Sequence, residues 1–163
     1  LKEGTDMSLC TAVILVLPSG EEDPVEASIL VAGHPLPLLV RAGNVETVGE
    51  PGPLLGAPTE PEWKAVGVPL SDGDQLVVYT DGVTEARGAE DRFGEARLRA
   101  GLAHVADPWQ AVARIETALD SFLVDPPDDD AAMLVIMRSN PPRARTRADA
   151  VVAGIQARSA GTR

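Results

Sequence analysis

Asp74-Gln-Leu-Val-Val-Tyr-Thr-Asp-Gly-Val-Thr-Glu85 is the stretch from which the rest of the chain can be placed. The apolar run from Leu76 to Tyr79 predicts a buried strand that enters Thr80-Asp81-Gly82, so a carboxylate arrives where the backbone leaves the sheet. Strand ends commonly present ligand or catalytic groups, although Asp-Gly is also an ordinary turn dipeptide. A second acidic run weighs toward chemistry. Asp125-Pro-Pro-Asp128-Asp129-Asp130 abuts another apolar run, Ala131 to Met137, at its beginning rather than its end. In antiparallel neighbours the end of one strand lies beside the start of the other, so Asp81 would face the triple aspartate. Carboxylates brought that close repel unless a cation sits between them.

The chain has 163 residues, enough for one domain with a real core. Apolar residues make up 44% and aromatics only 3%, so that core must be built from aliphatic side chains. The longest aliphatic run, Ala12 to Leu17, is too short to cross a bilayer, so no membrane contact is expected within this segment. Cys10 is the one cysteine. An internal disulfide is thereby excluded, and a reducing, cytoplasmic setting is the expectation. Net charge is −11, and residues 139–163 carry five Arg against one Asp, which leaves about −15 on the remainder. A body that acidic repels nucleic acid, and its charge serves either metal ions and basic partner surfaces or plain solubility. Because the chain starts at Leu1, a longer natural protein at the amino end is expected.

Leu9 to Leu17 and Val25 to Ala32 predict two antiparallel strands joined by an acidic loop. Their nearly continuous apolar character predicts cover on both faces. Leu38 to Arg41 and Val45 to Val48 flank Ala42-Gly43-Asn44, a hairpin connection. The Pro- and Gly-rich stretch from Glu50 to Glu60 must be ordered by contacts, with Leu54-Leu55 as its anchor, and Trp63 to Leu70 predicts another strand. Beyond Asp81 the period changes from two to 3.6. Leu98, Leu102 and Val105 mark one helix, and Asp107-Pro108 starts a second whose core stripe is expected at Trp109, Val112, Ile115 or Glu116, Leu119 and Phe122. Residues 139–163 are expected to be a flexible basic tail behind a domain spanning 1–138. His34, beside a Gly and a Pro at a strand end, is a weaker candidate for the site, with a structural hydrogen bond as the plainer reading.

Five segments also carry a family resemblance: Val31-Ala-Gly-His-Pro-Leu-Pro-Leu-Leu-Val40, Gly52-Pro-Leu-Leu-Gly56, Leu76 to Arg87, Arg92-Phe-Gly94 and Asp128-Asp-Asp-Ala-Ala-Met-Leu-Val135. In this order and spacing, over roughly residues 5 to 138, they resemble the carboxy-terminal part of a SpoIIE-like phosphatase domain, a bacterial branch of the PPM-type (type 2C) serine/threonine phosphatases. The resemblance implies an α+β fold, an α-β-β-α sandwich present here as an incomplete domain. It also implies two Mn or Mg ions at one edge of the sandwich and hydrolysis of a phosphorylated protein, often an anti-sigma factor antagonist. The family's metal ligands fall on Asp81 and Asp129. Three aspartates run together, so Asp128 or Asp130 can hold the second position, and Gly82 neighbours the first. No catalytic residue beyond the metal ligands is implied. Arg41 and Arg87, close to the motifs, are candidates for holding phosphate.

Two departures from the family pattern stand out. Ala132 occupies the position of the family's usual Thr, and the first half of the domain, with its Gly-Asp strand pair, is absent from this chain. A sheet lacking those strands exposes edges that another chain, in a homodimer for example, would complete. The alternative to an enzyme is therefore a non-catalytic interaction domain with an incomplete metal site.

Overall fold

The structure, a computed structural model, describes residues 8–19, 23–57, 62–124 and 130–139, together with the backbone of 149–155. Its strands are β1 (Ala12–Val16), β2 (Val25–Ala32), β3 (Leu38–Arg41), β4 (Asn44–Thr47), β5 (Val66–Leu70), β6 (Gln75–Tyr79), β7 (Ala131–Met137) and β8 (Asp149–Ile155). Its helices are α1 (Asp81–Thr84), α2 (Gly94–Leu102) and α3 (Pro108–Phe122). The strands form a three-stranded sheet, β1-β2-β5, and a five-stranded sheet, β4-β3-β6-β7-β8, with every pairing antiparallel.

Alternation along the strands builds two cores. Leu39 and Leu76 turn from the five-stranded sheet toward Ala27, Ile29, Val31 and Val68 of the other sheet. Leu38, Val40, Val77, Tyr79, Met133 and Val135, on the opposite face, meet Phe93, Leu98, Leu102, Ile115 and Leu119 from the helical side. Three layers result, sheet on sheet on helices. They are three of the four layers of an α-β-β-α sandwich, as an incomplete domain requires. The outer face of β1 is open among the described residues: Ile14 is 54% and Val16 59% exposed, against the expectation that both faces would be covered. An unbroken apolar run cannot reveal which of its faces lacks a neighbour.

Local chemistry explains the helix starts. Asp107 accepts from the Gln110 backbone N–H at 2.9 Å, and the Gln110 side chain accepts in return from the Ala106 N–H at 2.7 Å. With Pro108 in the first turn, the Asp107 cap is backed by a Gln110 side chain that reaches one residue further, to the Ala106 N–H. Asp107→Ala is expected to cost about 1 kcal/mol of stability, readable as a lower urea midpoint. Trp109, expected in the core stripe, is 71% exposed, and Pro108, Ala111, Val112, Ile115 and Leu119 face inward instead. Each helical residue advances about 100°, so with Pro108 held against the core its neighbour must face away.

The β3–β4 hairpin is tight, with Ala42 and Gly43 at φ 48° and 82°. The His104 ring fills the space where a Gly43 side chain would stand. Arg99 of α2 ties that hairpin to the helices, donating to Val45 O at 2.8 Å, to Thr47 Oγ1 and to Glu95. The Pro- and Gly-rich loop is pinned by contacts, but by hydrogen bonds rather than by a hydrophobic anchor: Leu55 exchanges backbone hydrogen bonds with Cys10, Trp63 Nε1 donates to Pro53 O at 2.9 Å, and Leu54 is 36% exposed. Cys10 itself is exposed and lies just outside β1, not within a buried strand. Within the segment expected to be a flexible tail, residues 149–155 instead pair with β7 as β8.

Candidate metal corner

β6 and β7 are antiparallel neighbours, with Tyr79 opposite Met133, so the end of β6 meets the start of β7. Thr80 fastens the two together. Its N–H donates to Ala132 O at 3.0 Å, its Oγ1 donates to Asp130 O at 3.2 Å, and that same Oγ1 accepts from the Ala132 N–H at 2.9 Å. Thr80 stands at the N-cap of α1, yet its side chain makes no cap bond there. Its hydroxyl is committed to the neighbouring strand. Asp81 follows, exposed, as the first residue of α1. Its carbonyl accepts from the Glu85 N–H at 2.7 Å and from Thr84 Oγ1 at 3.2 Å, so backbone bonds hold the turn and leave the carboxylate outside them.

Gly82 is buried, and a Cβ there would stand 2.5 Å from Asp130 O and 2.9 Å from its carbonyl carbon. Backbone on backbone cannot yield as a flexible side chain can, so close approach rather than an unusual φ demands glycine here. Asp81 and Asp130 therefore flank one corner of the five-stranded sheet. Asp128 and Asp129 lie outside the described residues. His34 is half-buried, and its Nδ1 lies 3.2 Å from the adjacent Pro35 O, the local structural contact of the plainer reading.

Hard divalent cations take six or more oxygen ligands, several of them from carboxylates. Among the described residues no three His, Cys, Asp or Glu side chains converge, so these residues by themselves do not make a metal site. Asp81 and Asp130 are the two candidate carboxylate residues that the described backbone brings to this corner.

Arg41 is not available for phosphate. Its Nε and Nη2 donate to Asp74 Oδ2 at 3.0 and 2.7 Å, and Nη2 also donates to Pro69 O. Asp74, only 4% exposed, further accepts from the Ser71 N–H at 2.8 Å. Asp74 precedes β6 and Asp81 follows it, so at roughly 3.3 Å per residue this ion pair lies about 20 Å from the corner. Proximity in sequence misled because β6 separates the two ends.

Sequence reasoning missed Thr80 and Tyr79. The signal for Thr80 was a β-branched hydroxyl directly before the turn aspartate, a residue type able to bond a neighbouring strand. Tyr79 lies at the end of β6, 5% exposed, and burial, reinforced by the negative charge of Glu95, pushes its phenol above the usual 10 while Arg99 partly opposes the shift. It is the single tyrosine of the chain, so absorbance at alkaline pH reads it directly. Its ionisation is expected above pH 10 in the folded protein. The unfolded chain releases that proton first, so the stability contribution is intact below pH 10 and is lost as pH rises through the folded value. A midpoint at or below 10 would contradict this burial.

Comparison with known proteins agrees with this architecture. The family model for Stage II sporulation protein E (SpoIIE) matches residues 1–139. No curated protein matches. The solved phosphatase domain of the cell fate determinant SpoIIE from Bacillus subtilis is similar at 14% identity and a TM-score of 0.62, over 83% of this chain and 61% of that one. The Mn-presoaked form of the same domain gives 16% identity and a TM-score of 0.61, over 88% of this chain and 63% of that one. The structure of the RsbU and RsbW domains of Rv1364c from Mycobacterium tuberculosis gives 28% identity and a TM-score of 0.61, over 73% of this chain and 34% of that one. The chain thus spans about three fifths of the SpoIIE phosphatase domain it resembles.

Proposed function

The chain belongs to the SpoIIE family of PPM-type phosphatase domains, and from that premise we propose that it is the carboxy-terminal portion of a metal-dependent serine/threonine protein phosphatase acting on a phosphorylated regulatory protein. The observation that carries this reading is the Thr80 clasp, which holds the Asp81 turn against Asp130 at one sheet corner. The Mn-presoaked relative supports a metal dependence, with Mn or Mg as the ion. Asp81 and Asp129, with Asp128 or Asp130 as alternatives at the second position, would be ligands. When bound, paired cations supply a nucleophilic water and neutralise the phosphoryl oxygens. The chain's own part is narrower. Thr80 and Gly82 set how closely the two acidic segments approach, and the backbone bonds to Asp81 O fix the turn that carries its carboxylate. The remaining ligands would come from 125–129 and from the part of the domain that this chain does not span.

The substrate class within this proposal is a phosphorylated anti-sigma factor antagonist, and the RsbU and RsbW domains of the mycobacterial neighbour support a partner of that regulatory kind. Cytoplasmic location and homodimerisation belong to the same proposal. No helix among the described residues is long and apolar enough to cross a membrane. A net charge of −11 argues against nucleic acid as a partner.

A second reading, a non-catalytic interaction domain, is favoured by Ala132 at the family's Thr position and by the lack of three converging ligands among the described residues. One experiment separates the two: Mn-dependent hydrolysis of a phosphoserine protein by the longest natural chain containing this region. Metal-dependent turnover supports the enzyme. A folded chain with no turnover in excess Mn favours the interaction domain.

A further inference from the structure

Beside the Asp81 corner lies a cavity of about 420 Å³ lined by Pro35, Leu36, Thr47, Tyr79, Thr84 and Glu95. It shares a wall with the corner. Tyr79 comes two residues before Asp81, and Thr84 Oγ1 donates to Asp81 O at 3.2 Å. The register points the same way: β3 pairs Leu38 with Val77, so Leu36 and Pro35 lie toward the Asp81 end of β6.

The lining has a definite chemistry. Pro35 and Leu36 give an apolar surface. Tyr79 is 95% buried by its 5% exposure, and its hydroxyl makes no hydrogen bond among the described residues, a donor with its bonding capacity unspent. Glu95 and Thr47 are both held by the Arg99 guanidinium, which balances the carboxylate charge while leaving oxygen lone pairs able to accept. A wall with one donor, several acceptors and a single carboxylate already paired with Arg99 repels a phosphate and offers a Lys or Arg side chain no unpaired partner. It complements a neutral amide, whose carbonyl accepts and whose N–H donates.

We propose that this cavity receives a carboxamide side chain, Asn or Gln, of the phosphoprotein substrate, close in sequence to the phosphorylated residue. This rests on the phosphatase reading above and adds a specificity pocket to it, with Tyr79 as a substrate-contacting residue.

The test uses the longest natural chain with Mn present and a set of phosphoserine peptides in which Gln replaces Ala at each of three flanking positions on either side. At one position Gln raises kcat/KM roughly tenfold, the effect of two neutral hydrogen bonds. Tyr79→Phe, which keeps the ring and removes the hydroxyl, erases most of that preference. Thr47→Trp, which fills the cavity from an exposed strand, erases it as well. p-Nitrophenyl phosphate, which has no flanking residue, serves as the reference substrate. Turnover of this small phosphate with no Gln preference at any position, or a preference that survives both substitutions, overturns the pocket alone. Absence of turnover on every substrate overturns the phosphatase reading and the pocket with it.

Discussion

Asp81→Asn, made in the longest natural chain containing this region, is expected to lower metal-dependent phosphatase turnover by roughly a hundredfold or more. A metal ion supplies several kcal/mol of charge stabilisation to the transition state, and each 1.4 kcal/mol is a factor of ten in rate. Asn keeps the size of the side chain and removes its charge. The fold should not register the change, because the bonds that shape the turn, from Glu85 N–H and Thr84 Oγ1, go to the Asp81 carbonyl, and its side chain is exposed. The check is a manganese titration of p-nitrophenyl phosphate hydrolysis alongside thermal melts of both proteins. The melts should coincide while turnover collapses. Turnover within threefold of the parent would remove Asp81 from the metal site.

Phe93→Ala should be the most damaging simple truncation for stability, at about 3–5 kcal/mol. Phe93 is 1% exposed and heads the fully buried side chains by volume. Its ring meets Phe122 edge to face, with centroids 5.5 Å apart and planes at 76°, and Arg97 stacks on Phe122 at 4.7 Å. The backbone around it is fixed too, with Phe93 N–H donating to Ala86 O at 2.8 Å and Arg97 reaching Phe93 O at 3.0 Å. The surroundings cannot collapse into the space a phenyl ring leaves, so the cavity term adds to the lost transfer energy. Urea denaturation should show a lower midpoint at an unchanged slope. A loss below about 1 kcal/mol would mean that α1, the following loop and α2 repack freely.

The parts of the fold legible in the sequence were those encoded by neighbours along the chain. The β6 run, the Asp107-Pro108 cap and the Leu98-Leu102 spacing each carry their own period or cap and stand where expected, whereas Val105, expected on the same helix as Leu98, lies beyond the end of α2. The pairing of β6 with β7 was legible for a different reason, since two apolar runs flanked by acidic residues at opposite ends form one corner only when antiparallel. What could not be read depends on partners distant in sequence. Thr80 looks like any strand-end threonine until the Asp130 carbonyl, fifty positions away, is placed beside it. Arg41 looked available until Asp74 was found to hold it. Trp109 and the outer face of β1 were misjudged because hydrophobicity states what a residue would prefer, not whether a neighbour exists to grant it.

Arg99 has a role beyond tying α2 to the hairpin. Among the described residues β4 is the outermost strand of its sheet, and Val45 O accepts from Arg99 while Arg99 also holds Thr47. A strand border presenting free carbonyls is a template on which another molecule can extend the sheet. Here one of those docking points is already occupied by a bulky cation from the same chain, so β4 is protected against runaway self-association. An Arg99→Ala protein would carry its penalty less as lost stability than as a lower concentration threshold for clumping.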